Sequence, residues 1–143
     1  MNISQNHMAA MLPPDFKHLL HIGCGEGEMI RGLAERHDAL FTGITEIRDH
    51  LAAARGKGIG KAEFFLGGHH SLYFHDSHFD VVVSSDELED FREIHRVLTP
   101  KGRFIMPSNG KFFSMRSIWR MKRWGFERFF RENGFLIAHK AEA

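Results

Sequence analysis

Short apolar runs alternate with segments of helical periodicity along most of the chain. The run FDVVVSS, at residues 79–85, centres on three consecutive valines, as expected for a strand that is covered on both faces. Residues 28–36 instead place Met29, Ile30 and Leu33 on one face of a helix. The whole pattern predicts six strands, at 18–23, 39–45, 62–66, 79–85, 103–108 and 134–141.

Helical segments separate these strands. We predict helices at 28–36, 48–55, 88–98 and about 113–133. Because a parallel crossover needs a helix to return the chain, this order predicts an α/β fold: a Rossmann-like, doubly wound, mostly parallel sheet of about six strands in one domain, residues 1–143. Ligands of such sheets bind beyond the carboxyl ends of the strands. We therefore expect one cleft surrounded by the turns that follow Gly23, Thr45, Gly67 and Ser84.

Length and composition are those of one globular domain. The 143 residues are 43% hydrophobic and 26% charged. No apolar run reaches the length of a membrane span, and the first residues lack the layout of a secretory signal, so we expect a cytoplasmic protein. The single cysteine, Cys24, has no partner for a disulfide and is expected to be a packing residue.

Charge is distributed unevenly along the chain. Acidic residues outnumber lysine and arginine 15 to 9 through Pro100, and basic residues outnumber acidic ones 10 to 3 from Lys101 onward. Residues 111–131 interleave these cations with aromatic side chains, a composition that suits nucleic acid, an anionic membrane surface or a partner protein. We favour a simpler interpretation, in which the aromatic residues pack on the sheet and the arginines face water. We also expect a homo-oligomer or a larger protein partner to cover remaining apolar surface.

A glycine-rich turn follows the first predicted strand. Gly23, Gly25 and Gly27 let the backbone pass close to a ligand and adopt conformations that a side chain would forbid. A dinucleotide-binding fingerprint requires a further glycine where Glu28 stands, and no phosphate loop ending in Gly-Lys-Ser/Thr is present. The turn therefore indicates a nucleotide-like ligand of another kind.

Three motifs in this order, LLHIGCGEGEMIRGLA, FHDSHFDVVVSS and RVLTPKGRF, resemble the class I S-adenosylmethionine-dependent methyltransferases of the type 11 branch. The resemblance extends over nearly the whole chain. It implies S-adenosyl-L-methionine as cofactor and methyl transfer to a small-molecule acceptor. The chain is shorter than is usual in that family, so we expect a reduced N-terminal helix and no seventh strand.

The resemblance also assigns cofactor-binding positions. They are His21, Gly23, Cys24, Gly25, Gly27, Thr45, Glu46, Ile47, Gly68, His69 and Ser84.

The family carries acids at three of these positions, where this chain has His21, Thr45 and Gly68. Hydrogen bonds to a charged group contribute about 1.5 to 3 kcal/mol each, so their loss predicts weaker cofactor binding unless the carboxylate of Glu46 compensates. The alternative function is a catalytically silent, methyltransferase-like binding or regulatory subunit with an altered pocket.

Acidic residues just beyond the fourth strand are the candidates for catalysis. Asp86 and Glu89 could orient or deprotonate an acceptor, or could form the solvated first turn of a helix. Four histidines, His69, His70, His75 and His78, cluster in the sequence, but their spacing matches no known zinc motif. We interpret them as loop residues and predict no metal.

Overall fold

A computed structural model describes residues 3–108 and 111–142, and within it the side chains of residues 6–108 and 115–142. The side chains of Lys111, Phe112 and Phe113, three members of the predicted basic aromatic segment, lie outside this part. The helices are α1 (Ile3–Ala10), α2 (Glu28–Ala34), α3 (Arg48–Gly56), α4 (Arg92–Val97) and α5 (Lys111–Arg123). The strands are β1 (His18–Ile22), β2 (Leu40–Thr45), β3 (Ala62–Leu66), β4 (Phe79–Ser84), β5 (Leu98–Pro107), β6 (Phe126–Glu132) and β7 (Phe135–Lys140).

The strands form one sheet in the order β3-β2-β1-β4-β5-β7-β6. The five strands from β3 to β5 run parallel, and β7 pairs antiparallel with both β5 and β6. The order reverses between β1 and β4, where ligand crevices open in sheets of this kind. The predicted α/β, Rossmann-like, mostly parallel sheet is thereby confirmed.

Each face of the sheet carries its own apolar cluster. Leu19 and Val83 face α1 and α2, whereas Leu20 and Val82 face α4 and the underside of α5. The three valines of β4 are fully buried because helices cover this central strand on both faces. This burial explains why β4 was the clearest strand in the sequence.

The predicted strand count and the predicted last helix are wrong in part. The structure has a seventh strand, and the helix predicted to reach Asn133 ends at Arg123. Gly125 follows with a φ of 97°, a conformation that ends a helix at little cost for glycine. Asn133 and Gly134 then take positive φ angles of 51° and 81°, as in the tight Asn-Gly turn that joins two antiparallel strands. Residues 126–132 are thus one arm of a hairpin.

The connection after β4 also differs from the prediction, which began the helix at Leu88. Helix α4 begins only at Arg92, so Asp86 and Glu89 lie in an irregular loop before it and not in its first turn. The connection from β3 to β4, residues 67–78, contains no helix. Arg96 of α4 holds this connection through hydrogen bonds to the carbonyl oxygens of Leu72, at 2.6 Å, and Phe74, at 2.8 Å.

No helix in the described ranges 3–108 and 111–142 has the length and apolar content that a membrane crossing requires.

Candidate functional site

A cavity of about 370 Å³ opens where β1 and β4 end. This volume lies in the range of small-molecule sites. Its wall contains His21 from β1, the glycine turn, the start of α2 and the residues after β4. The full lining is Met8, His21, Gly23, Cys24, Gly25, Glu26, Glu28, Met29, Ser84, Ser85, Pro107 and Phe135.

The glycine turn leaves β1 in a fixed conformation. Gly23, Gly25 and Gly27 have φ angles of 75°, 56° and 83°, in the left-handed region that glycine adopts most readily. The amides of Gly23 and Cys24 donate to the carbonyl oxygen of Ile44, at 3.0 and 2.9 Å. These bonds tie the turn to the end of β2, so that its backbone forms a stable wall of the cavity.

Tight packing supports the turn from below. A Cβ atom on Gly43 would lie 2.7 Å from the ring of Phe64 and 2.9 Å from the Cys24 sulfur, and one on Gly27 would lie 3.0 Å from the same ring. Burial raises the pKa of the Cys24 thiol to about 11, so this group stays neutral at pH 7. Cys24 therefore serves as a packing residue. Gly43 and Phe64 are supporting residues that motif spacing did not reveal.

His21 occupies the most unusual position in the site. Its side chain is 4% exposed, and its Nε2 atom lies 2.7 Å from the hydroxyl oxygen of Ser85. Its Nδ1 atom is buried without a hydrogen-bond partner among the described residues. Burial lowers the pKa of His21 to about 4, so the imidazole is neutral at pH 7. A neutral ring adds no positive charge to a cavity whose lining includes Glu26 and Glu28.

Thr45, at the end of β2, is buried and its hydroxyl oxygen accepts a hydrogen bond from the amide of Ile47 at 3.2 Å. The carbonyl oxygen of Thr45 accepts from the amide of Gly67, at 2.9 Å. The side chain thus stabilises the turn after β2. Ile47 is 51% exposed and places an apolar surface at the same edge of the sheet.

Glu46 is exposed and reaches across to the end of β3. Its carboxylate fills the space that a side chain on Gly68 would take, and it lies close enough to His69 to favour the protonated form of that imidazole. Burial and the neighbouring His70 act in the opposite direction, and the pKa of His69 is lowered overall. The sequence-predicted residues Glu46, Gly68 and His69 therefore come together, although none of them is part of the cavity lining.

The acidic side chains that follow β4 point in two directions, Asp86 toward the glycine turn and Glu89 toward α5. Ser84 is buried, and its hydroxyl exchanges hydrogen bonds with the backbone of Asp86, at 2.7 and 3.1 Å. This turn brings the Asp86 carboxylate next to Gly23. Glu89 points away, since its carboxylate lies 3.5 Å from Arg120 of α5. Of the two predicted catalytic acids, only Asp86 approaches the glycine turn.

Several lining residues were not predicted from the sequence. Ser85 is one of them, and its contact with His21 follows from the strand register, which pairs His21 with Val83, two residues earlier. The remaining ones are Met8, Glu26, Glu28, Met29, Pro107 and Phe135. Pro107 and Phe135 face each other across β5 and β7. Their position depends on long-range pairing, which motif spacing does not contain.

The histidine cluster does not gather around one point. His70 pairs with Asp90 at 2.9 Å, and the ring of His78 lies over that of His18, at 5.2 Å between centroids. In the described part of the chain, no three His, Cys, Asp or Glu side chains are arranged to hold a metal ion.

A doubly wound sheet with a glycine turn after its first strand is an arrangement that occurs in nucleotide-binding domains. The sequence profile of the family described as "Methyltransferase domain", Methyltransf_11, matches residues 20–106, more than half of the chain. The chain therefore belongs to this family.

Similar proteins agree with this assignment. A demethylmenaquinone methyltransferase from Thermotoga maritima is 32% identical over 108 residues, 67% of this chain and 47% of that protein. The chain thus spans about half the length of this curated relative. The structure of the [4+2]-cyclase SpnF is similar with a TM-score of 0.84 and 18% identity, over 98% of this chain and 81% of that one. The structure of an S-adenosylmethionine-dependent methyltransferase from Mesorhizobium loti is similar with a TM-score of 0.74 and 17% identity, over 93% of this chain and 95% of that one. These two likenesses establish the fold.

Proposed function

We propose that this chain transfers a methyl group from S-adenosyl-L-methionine to a small-molecule acceptor. The observation that carries the proposal is the glycine turn, held in left-handed conformations beside a cavity of about 370 Å³ at the point where the strand order reverses. Membership of the methyltransferase family supports the same conclusion. The Thermotoga maritima relative is named as a methyltransferase and the Mesorhizobium loti neighbour as S-adenosylmethionine-dependent, and both names support this donor.

The side chains present fit this cofactor. It carries a sulfonium and an ammonium group. The cavity lining provides a neutral His21 and the carboxylates of Glu26 and Glu28, which also lie 4.0 and 3.4 Å from the Lys57 ammonium. The turn at Gly23–Gly27 would hold the amino-acid end. The Glu46 carboxylate would accept hydrogen bonds from the ribose hydroxyls, and Ile47 would pack against the base. In this arrangement the Glu46 carboxylate replaces the acids that are absent at Thr45 and Gly68.

The cofactor supplies a methyl group that is already activated, so the protein contributes mainly by proximity and orientation. The backbone of the turn and the buried His21 fix one wall of the cavity. The Asp86 carboxylate, which lies beside Gly23, would accept a proton from an acceptor that enters at the end of β4. We assign no role to Glu89, whose carboxylate lies beside Arg120 and not beside the glycine turn.

Calorimetric titration with S-adenosylmethionine and S-adenosylhomocysteine tests the proposal. We expect micromolar dissociation constants for both. Replacing the histidine with the acid usual in the family, His21→Asp, should strengthen binding by about tenfold, since hydrogen bonds to a charged group contribute about 1.5 to 3 kcal/mol. The neutral variant His21→Asn is the matched control and should bind no better than the natural protein.

The titration also separates the proposal from its rival. If the natural protein releases no heat at millimolar ligand but His21→Asp binds clearly, the chain is a catalytically silent relative whose pocket lacks the acidic side chains that hold the cofactor. If neither protein releases heat, the chain does not bind the cofactor, and the result excludes both the proposed methyl transfer and recovery of cofactor binding through His21→Asp.

A further inference from the structure

Among the described residues, four large apolar side chains in the last third of the chain are exposed, and five others lie between residues 40 and 73. Met115 is 68% exposed, Trp119 62%, Trp124 46% and Phe130 58%. The expectation that the aromatic residues of this segment pack on the sheet holds for Phe126, which is buried, but not for Trp119, Trp124 and Phe130. A surface of this kind marks an interaction site more often than a free surface.

Helix α5 presents these residues together with its cations. At 3.6 residues per turn, Met115, Arg116, Trp119, Lys122 and Arg123 share about one third of the helix circumference, and all five are exposed. The opposite side carries the buried Ser117 and Met121. We call the five exposed residues the α5 face. It contains no acidic residue.

Cations and apolar groups are interleaved on this face. The Arg123 guanidinium lies 5.1 Å from the centre of the Trp119 ring. The Lys122 ammonium lies 5.9 Å from the centre of the Phe129 ring, on the adjoining β6. Arg120, at the border of the face, pairs with Glu89, whereas Arg116, Lys122 and Arg123 are exposed and pair with no acidic side chain among the described residues. Positive charge therefore surrounds a projecting tryptophan and methionine.

We propose that the α5 face binds the surface of an anionic phospholipid bilayer. Tryptophan prefers the boundary between headgroups and acyl chains, where Met115 and Trp119 would insert. Arginine and lysine around them would remain at the level of the phosphates, since their long side chains reach the headgroups while their stems stay in apolar surroundings. The partner is thus a membrane surface, which the helix contacts without crossing it.

The shape of the surface favours a bilayer over single-stranded nucleic acid. Proteins that bind single strands use a charged groove in which bases stack on open aromatic rings. The α5 face is the convex side of a helix, and the guanidinium of Arg123 covers one face of the Trp119 ring. A planar, fluid, anionic surface can contact such a convex face over its whole length.

Vesicle sedimentation tests this inference, with vesicles of phosphatidylcholine alone and of phosphatidylcholine mixed with phosphatidylserine. We expect binding only to the anionic vesicles. Arg123→Glu should weaken it by about tenfold or more, because each cation near such a surface contributes about 1 kcal/mol and reversal removes two charge units. The matched control, Arg36→Glu, makes the same charge change at an exposed position after α2 and should bind as the natural protein does.

Fluorescence locates the contact. In a Trp124→Phe background the remaining tryptophan is Trp119, and its emission should shift to shorter wavelength when anionic vesicles are added. Circular dichroism checks that each variant is folded. Arg116→Glu repeats the charge reversal at a residue with no ring contact among the described side chains.

Three results would overturn the inference. They are equal binding to both kinds of vesicle, equal loss in Arg123→Glu and Arg36→Glu, and a single-stranded oligonucleotide that binds through Arg123 while vesicles do not. None of these measurements includes the cofactor, so their outcome is independent of the proposed methyl transfer.

Discussion

His21 and Ser85 form a hydrogen-bonded pair, with 2.7 Å between Nε2 and the hydroxyl oxygen, at the junction of β1 and β4. The parallel register that pairs His21 with Val83 brings the two residues together. In this pair a buried imidazole stands at the strand end where the family carries an acid. The pair joins the two halves of the cavity wall, and its protonation affects the stability of the protein.

Stability should fall as the pH is lowered from about 6.5 to 4. Burial lowers the pKa of His21 from 6.5 to about 4 in the folded protein, so the unfolded chain binds more protons between these values. This one group should reduce the free energy of unfolding by about 2 kcal/mol between pH 7 and pH 5. Urea unfolding at the two pH values measures the loss.

The variant His21→Gln is the control for that measurement. Burial also lowers the pKa of His69 and His95, so part of the acid sensitivity will remain. The difference between the two proteins isolates His21. An equal loss of stability in both would show that its imidazole is not held neutral.

Glu46→Gln should weaken binding of S-adenosylhomocysteine by about tenfold, because an amide is a poorer acceptor for two ribose hydroxyls than a carboxylate. Glu46 is exposed, so the fold should be unaffected. Asp49→Asn, an exposed acid in the first turn of α3, is the matched control and should leave the affinity unchanged. Calorimetric titration compares the three proteins, and equal affinity in all of them would exclude a role for Glu46 at the ribose.

Gly43→Ala should destabilise the protein by about 1 to 3 kcal/mol, the usual cost of adding atoms to a packed core. Its new methyl group would meet the Phe64 ring at 2.7 Å and the Cys24 sulfur at 2.9 Å. Gly56→Ala, at the end of α3, has nothing within 4 Å and should be neutral or stabilising by up to about 1 kcal/mol. Urea unfolding measures both. If Gly56→Ala lost more free energy of unfolding than Gly43→Ala, the packing described around Phe64 would be contradicted.

Arg96→Leu should destabilise the protein by about 3 kcal/mol, because it leaves the carbonyl oxygens of Leu72 and Phe74 without their donor. Hydrogen exchange should accelerate most in residues 71–78. Arg92→Leu removes only one long bond, 3.3 Å to the carbonyl oxygen of His70, and should have a smaller effect. Uniform acceleration of exchange over the whole sheet would mean that Arg96 does not act on this connection in particular.

Local patterns in the sequence were enough to predict the parallel core of the fold. Three consecutive valines identified β4, and the glycine spacing identified the turn that lines the cavity. The hairpin at the end of the chain was missed, because cations and aromatic residues at 126–132 also fit a helix. The Asn133-Gly134 pair was the signal that could have corrected this prediction.

Only the part of the site that is formed by one continuous segment of the sequence could be predicted. The glycine turn is one continuous segment, so its residues were found together. The contact of His21 with Ser85 and the wall formed by Pro107 and Phe135 depend on which strands pair and in which register. Spacing within a motif contains no information of that kind.

The cavity draws its lining from Met8, near the start of the chain, and from Phe135, in its last strand. No early segment can assemble this site by itself, so it is completed only after β7 has paired with β5. A ligand that binds there should slow unfolding and leave the folding rate nearly unchanged, since the site is not yet formed in the folding transition state. During synthesis, this cavity would therefore be complete only after Phe135 has left the ribosome.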